Sequence, residues 1–193
     1  YEIAIALTKL GIKTTLITGP SKLVSPKGIK VKKIVSADEM LNEVKKTLPV
    51  DLAVCTAAVT DVKPSEKIKN KIKKDKLNFK SINFIKNKDI LDFLSKNNKN
   101  RPKIVAGFSA ETKNVIKNST QKMKSKNCDL IFANDVSKKG IGFNSDFNEI
   151  SMIDQKGNIK IIPKNKNCDL IFANDVSNRE IGFNSDFNKV SMI

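Results

Sequence analysis

Residues 51–61 read DLAVCTAAVTD. The run Asp51–Thr56 is short, continuous and apolar, and small residues follow it at once. That is the pattern of a parallel strand buried on both faces, with a loop beyond it that lets the backbone approach a ligand closely. Similar runs occur at Lys13–Thr18, Val31–Val35, Lys103–Phe108 and Asp129–Ala133. Helical patterns lie between them. Tyr1–Leu10 can place Ile3, Ile5, Ala6 and Leu10 on one side before a stop at Gly11, and Ile90–Leu94 sits in a short helix. Ser36 and Glu39 form a capping-box pair ahead of Met40, Val44 and Leu48, and Asn114–Lys126 is a polar helix. Strands alternating with helices predict an α/β fold: a Rossmann-like, mostly parallel sheet with helices on both faces. Asn148–Ile153 and Asn158–Pro163, around Gly157, predict a β-hairpin appendage.

Open sheets of this kind bind ligands outside the carboxyl ends of their strands. The segments to watch are therefore Gly19-Pro20, Ala57–Asp61, Gly107–Thr112 and Asn134–Ser137.

The bulk composition narrows the chemistry. The 193 residues suit one domain with a real core, and 39% of them are hydrophobic. There is no histidine, and Cys55, Cys128 and Cys168 lack metal-ligand spacing. A histidine base and a cysteine–histidine metal cluster are both excluded. No apolar run approaches the ~20 residues of a membrane span. Reduced thiols suit a cytoplasmic protein. The net charge of +16 is almost all lysine, since Arg101 and Arg179 are the only arginines. Base readout leans on bidentate arginine, so specific nucleic-acid binding is disfavoured. A lysine-rich pocket for a phosphorylated small molecule is compatible with the same charge.

Four segments are candidate site material, each with a plainer reading beside it. Asp61 is a ligand-facing carboxylate or a cap on a tight turn. The lysine-rich run 67–74, KIKNKIKK, binds phosphate or is simply solvated. Gly107–Thr112, GFSAET, is expected as a strand-to-helix turn whose N–H groups could face an anion. Lys122 and Lys126, four residues apart, share one helix face, for a ligand or for water.

Taken in order, AAVTD at 57–61, KIKK at 71–74, NKDIL at 87–91, RP at 101–102, GFSAET at 107–112, Lys122 with Lys126, DLIFANDVS at 129–137 and GFNSDFN at 142–148 resemble the phosphopantothenoylcysteine synthetase family. This is the phosphopantothenate–cysteine ligase domain of coenzyme A biosynthesis. The resemblance implies a reaction with 4′-phosphopantothenate, cysteine and CTP, assisted by Mg2+. An acyl-cytidylate forms, pyrophosphate leaves, and the cysteine amine attacks. It implies Lys71 as the catalytic residue and as a phosphate contact. It implies nucleotide contacts at Ala57, Asp61, Lys88, Asp89, Ile90, Leu91, Phe108, Lys122 and Lys126, and no protein metal site. It implies a homodimer, and FMN only in a separate decarboxylase half without counterpart here. Val62-Lys63, Lys88 and Ser109 depart from the family pattern.

Residues 127–153 return as 167–193 with five changes: Lys138/Asn178, Lys139/Arg179, Gly140/Glu180, Glu149/Lys189 and Ile150/Val190. The expected organisation is a partial ligase domain over 1–163 and a redundant copy over 164–193. The family's first strand, phosphate loop and catalytic asparagine precede the helix in which Tyr1 stands. The expectation is thus an inactive fragment with an open slot in the middle of its sheet. The second copy is expected at a sheet edge or poorly ordered. A non-catalytic nucleotide- or phosphate-binding module, or a basic nucleic-acid-binding protein, are the alternatives.

Overall fold

The computed structural model describes residues 1–66, 82–96, 99–138, 148–165 and 189–192. Its elements run α1 (Glu2–Lys9), β1 (Lys13–Thr18), β2 (Lys30–Lys33), α2 (Ala37–Thr47), β3 (Leu52–Cys55), β4 (Val62–Pro64), β5 (Phe84–Lys86), α3 (Ile90–Lys96), β6 (Ile104–Glu111), α4 (Val115–Lys126), β7 (Leu130–Asp135), β8 (Asn148–Asp154), β9 (Ile159–Asn165) and β10 (Lys189–Met192). Eight strands form one sheet in the order β2-β1-β10-β3-β6-β7-β8-β9. Pairing is parallel from β2 to β7 and antiparallel from β7 to β9. The predicted hairpin is present, with Gly157 at φ +86° in its turn. It is the expected antiparallel addition to the parallel strands, joined to the edge of the main sheet where β8 pairs with β7.

Local chemistry sets the helix ends. Ser36 Oγ accepts a hydrogen bond from the Glu39 N–H at 3.3 Å, and Glu39 Oε2 accepts one from the Val35 N–H at 2.9 Å. The first bond satisfies one of the N–H groups that helix geometry leaves orphaned, and the second ties the residue before the cap to the first turn. Gly11, at φ +81°, stops α1 in a left-handed conformation that costs a glycine little.

Strand pleating divides the core in two. Leu52, Val54, Ile104, Ala106, Leu130 and Phe132 pack with Ile3, Ala4 and Leu7 of α1. Ala53, Val105, Ile131 and Ala133 point the other way, to Met40 and Val44 of α2, Leu94 of α3 and Met123 of α4. The strands are apolar at consecutive positions because both faces are covered. Each fully buried side chain of this size contributes about 1.5–3 kcal/mol.

Two features depart from the sequence reading. Residues 62–64 and 84–86 form an unexpected antiparallel ribbon, with Lys63 opposite Ile85. The Lys63 ammonium pairs with Asp38 at the start of α2, tying the ribbon to the body. The described end of the second repeat copy is not at a sheet edge either. β10 lies between β1 and β3, with Val190 in register with Thr14 and Leu52, and Met192 in register with Leu16 and Val54. It occupies the central position expected to be open. An empty slot there would leave two rows of unpaired backbone groups, which a strand of either copy can satisfy.

Candidate functional site

A cavity of about 410 Å3 opens at the carboxyl ends of β3 and β6, beneath α3 and α4. Each wall comes from a different stretch of chain. Cys55 ends β3, and the small-residue loop beyond it supplies Ala57, Val59, Thr60 and Asp61. Asn87, Lys88 and Asp89 lead into α3, whose first residues, Ile90 and Leu91, form an apolar wall. Phe108 comes from β6, and Lys122 and Lys126 come from one face of α4.

Every sequence-predicted site residue among the described ones therefore lies on this one cavity. Lys71 and the rest of the run 67–74 lie outside the described residues, as does most of 142–148. One local expectation is overturned. Gly107–Thr112 is not a strand-to-helix turn, because β6 continues through Glu111 and pairs with β7 from Gly107↔Ile131 to Glu111↔Asp135. The N–H groups there belong to a strand, so the segment forms no anion-facing turn. The Glu111 carboxylate instead accepts hydrogen bonds from Ser109 Oγ at 2.7 Å and Asn118 Nδ2 at 3.1 Å.

Two charged groups of the cavity, Asp89 and Lys126, are paired with each other. Lys126 Nζ lies 2.7 Å from Asp89 Oδ2, and the other Asp89 oxygen accepts from the Asp92 N–H at 2.8 Å. Burial would push the Asp89 carboxyl up. The Asp92 N–H and the Lys126 ammonium outweigh it and hold the group below the usual carboxylate range. The hydrogen bond to Asp89 raises Lys126 in turn. Lys122 Nζ donates to the Phe108 carbonyl at 2.9 Å. The Phe108 ring stacks on Phe132 with centroids 5.2 Å apart, which fixes that corner. Three lysines (Lys88, Lys122, Lys126) and two aspartates (Asp61, Asp89) line the cavity together with the apolar side chains of Ile90, Leu91 and Phe108.

Sequence reasoning gave no individual role to four lining residues that lie inside its flagged segments: Cys55, Val59, Thr60 and Asn87. Asn87 is the most consequential. Its N–H donates to the Asp61 carbonyl at 2.8 Å, and its Nδ2 donates to the Thr60 carbonyl at 2.7 Å. It staples the loop after β3 to the segment before α3 at the root of the ribbon. No spacing rule connects positions 27 residues apart. Cys55 is an inert wall: burial pushes its thiol up to about 12, leaving it protonated at neutral pH.

Among the described residues no group of three or more His, Cys, Asp or Glu side chains could hold a metal ion by itself. Two cavity carboxylates, Asp61 and Asp89, beside lysines suit magnesium, which is commonly held by one or two carboxylates plus ligand phosphates. No helix among the described residues is long and apolar enough to cross a membrane.

Known proteins are similar to this chain in sequence and fold. The coenzyme A biosynthesis bifunctional protein CoaBC of Borreliella burgdorferi is 37% identical over 166 residues, covering 85% of this chain and 41% of that protein. The Escherichia coli K12 protein of the same name is 37% identical over 169 residues, covering 84% of this chain and 40% of that protein. The chain thus spans about two fifths of the length of these relatives. A crystal structure of the C-terminal domain of a CoaBC protein superposes with a TM-score of 0.71 at 27% identity, over 94% of this chain and 80% of that one. The DNA/pantothenate metabolism flavoprotein from Streptococcus pneumoniae shares the fold, with a TM-score of 0.68 at 15% identity over 91% of this chain and 84% of that one. The model of the DNA/pantothenate metabolism flavoprotein C-terminal domain matches residues 1–165, and with relatives this similar the chain belongs to that family.

Proposed function

We propose that the cavity is the nucleotide site of a coenzyme A biosynthesis ligase joining 4′-phosphopantothenate to cysteine at the expense of CTP. One observation carries this reading. Lys88, Lys122 and Lys126 line the same cavity as Ile90, Leu91 and Phe108. Cations and apolar side chains in one cavity suit a polyphosphate attached to a flat base. In this reading the three lysines neutralise the triphosphate and the leaving pyrophosphate, and Lys71 keeps the catalytic role that the family resemblance implies. Asp61 and Asp89 would hold magnesium, which supplies charge neutralisation at the phosphates. The apolar wall and the Asn87 staple hold the nucleoside in one orientation. The substrate carboxylate takes the cytidylyl group, pyrophosphate departs, and the cysteine amine displaces the cytidylate. No step needs a protein nucleophile, which accords with a chain without histidine.

The same proposal places the ligase unit in residues 1–163, with 164–193 as an addition, in a cytoplasmic homodimer. It expects that the chain binds CTP. The test is a thermal shift of the full chain with CTP, ATP and UTP, with and without magnesium, beside a coupled pyrophosphate assay with all three substrates. At a hundredfold excess over Kd, binding adds about 2.7 kcal/mol, which raises Tm by roughly 5–10 °C. No shift with millimolar CTP overturns the nucleotide assignment. Pyrophosphate release that depends on all three substrates supports the ligase reading.

A further inference from the structure

Gly107 stands in the middle of β6 and is buried. It is not one of the glycines with positive φ, so backbone conformation does not account for it. A glycine inside a strand weakens the strand unless something must come close to its backbone. Here that something is Leu91. A Cβ on Gly107 would stand 2.7 Å from Leu91 Cδ2, 3.2 Å from Cδ1 and 3.6 Å from Cγ. Carbon atoms prefer about 3.5–4.0 Å, so even one methyl group would overlap by roughly 1 Å.

The overlap cannot be relieved from the strand side. Gly107 is in register with Cys55 of β3 and with Ile131 of β7, so β6 is held by partners on both flanks. Leu91 must move instead. It is only 8% exposed and packs in the core with Ile90 and Leu94. Its open side is the cavity it lines.

We propose that Gly107 is a positioning residue: by leaving room for Leu91 on the sheet, it sets the depth of the cavity and the placing of Asn87, Lys88 and Asp89 ahead of it. The ligand part of this inference, a nucleoside triphosphate whose base meets the Leu91 wall, rests on the function proposed above. The geometric part does not.

A double-mutant cycle tests it on the full chain. Gly107→Ala should weaken CTP binding about tenfold or more by isothermal titration. Leu91→Ala should weaken it only two- to threefold, through lost apolar contact. In the Leu91→Ala background Gly107→Ala should add nothing, because the atoms it would strike are gone. NMR amide shifts of Asn87, Asp89 and Ile90 should move in the single glycine variant and return in the double one. A merely structural role for Gly107 would lower Tm equally in both backgrounds and leave the Kd of the folded protein unchanged. Wild-type CTP affinity in Gly107→Ala, or an equal loss in both backgrounds, overturns the proposal. If the wild-type chain binds no CTP, the function reading fails on its own, and the amide shifts still decide. Unmoved shifts in Gly107→Ala overturn the positioning role, and shifts that return in the double variant support it.

Discussion

Asp89 and Lys126 face each other at 2.7 Å inside the cavity, one from the segment leading into α3 and the other from the last turn of α4. The pair holds a lysine that would otherwise sweep through solvent, and it also sets a carboxylate where anions would bind. Both side chains remain partly exposed, so solvent screens their attraction to about 1 kcal/mol. Asp89→Asn should therefore tighten metal-free binding of pyrophosphate about fivefold, by removing a competing anion. The same change should abolish the gain that magnesium gives. Titration calorimetry with and without the metal checks both.

The pH response of the pair follows from its signs. The Asp89 carboxyl is depressed in the folded chain, so its contribution is complete above the unfolded value near ~4 and disappears as pH falls through the lower folded value. Lys126 is raised, so its contribution is complete below ~10.4 and is lost as pH rises through the higher folded value. Between pH 5 and 9 the Tm difference between wild type and Asp89→Asn should stay flat. It should shrink below about pH 4 in scanning calorimetry.

Lys122→Met should lower CTP affinity by about ten- to a hundredfold, since a partly desolvated charge on a phosphate is worth ~1.5–3 kcal/mol. Tm should change little, because the lost hydrogen bond to the Phe108 carbonyl is modest.

Arg101→Ala should do the reverse. The guanidinium bonds both Asp129 oxygens at 2.9 and 3.0 Å and the Ser95 carbonyl at 2.8 Å, while Asp129 also accepts from the Val105 N–H. Breaking this staple of α3, β6 and β7 should cost about 2–3 kcal/mol in urea unfolding. CTP affinity at temperatures where the chain is folded should be unchanged.

Val190→Pro tests β10. A proline in a central strand removes a ladder donor and costs ~3 kcal/mol, so Tm should fall by about 6–12 °C. Hydrogen exchange should quicken together at Thr14–Leu16 of β1 and Leu52–Val54 of β3, the two flanks of Val190. Unchanged protection on both flanks would show that β10 does not hold the centre of the sheet.

Elements with an internal signal were legible in the sequence. The apolar run at 51–56, the Ser36/Glu39 box and the hairpin around Gly157 each have a periodicity or a cap that acts within a few residues. The cavity was legible through a resemblance, which named its lysines and the loop after β3. It could not name Asn87, whose role is to bond a loop 27 residues away. Nor could it show that Gly107 yields to Leu91, or that the strand runs on from Gly107 to Glu111, because a glycine reads as a turn until its neighbours are known.

The repeat separates the two kinds of information most clearly. EISM at 149–152 and KVSM at 189–192 differ in two residues, and both form strands. Apolar and β-branched residues alternating with polar ones determine that much locally. The first copy pairs antiparallel with β7 and β9, and the second pairs parallel with β1 and β3. Strand formation is a property of the segment. Partner, direction and place in the sheet belong to whichever rows of unpaired N–H and C=O groups the rest of the fold leaves within reach.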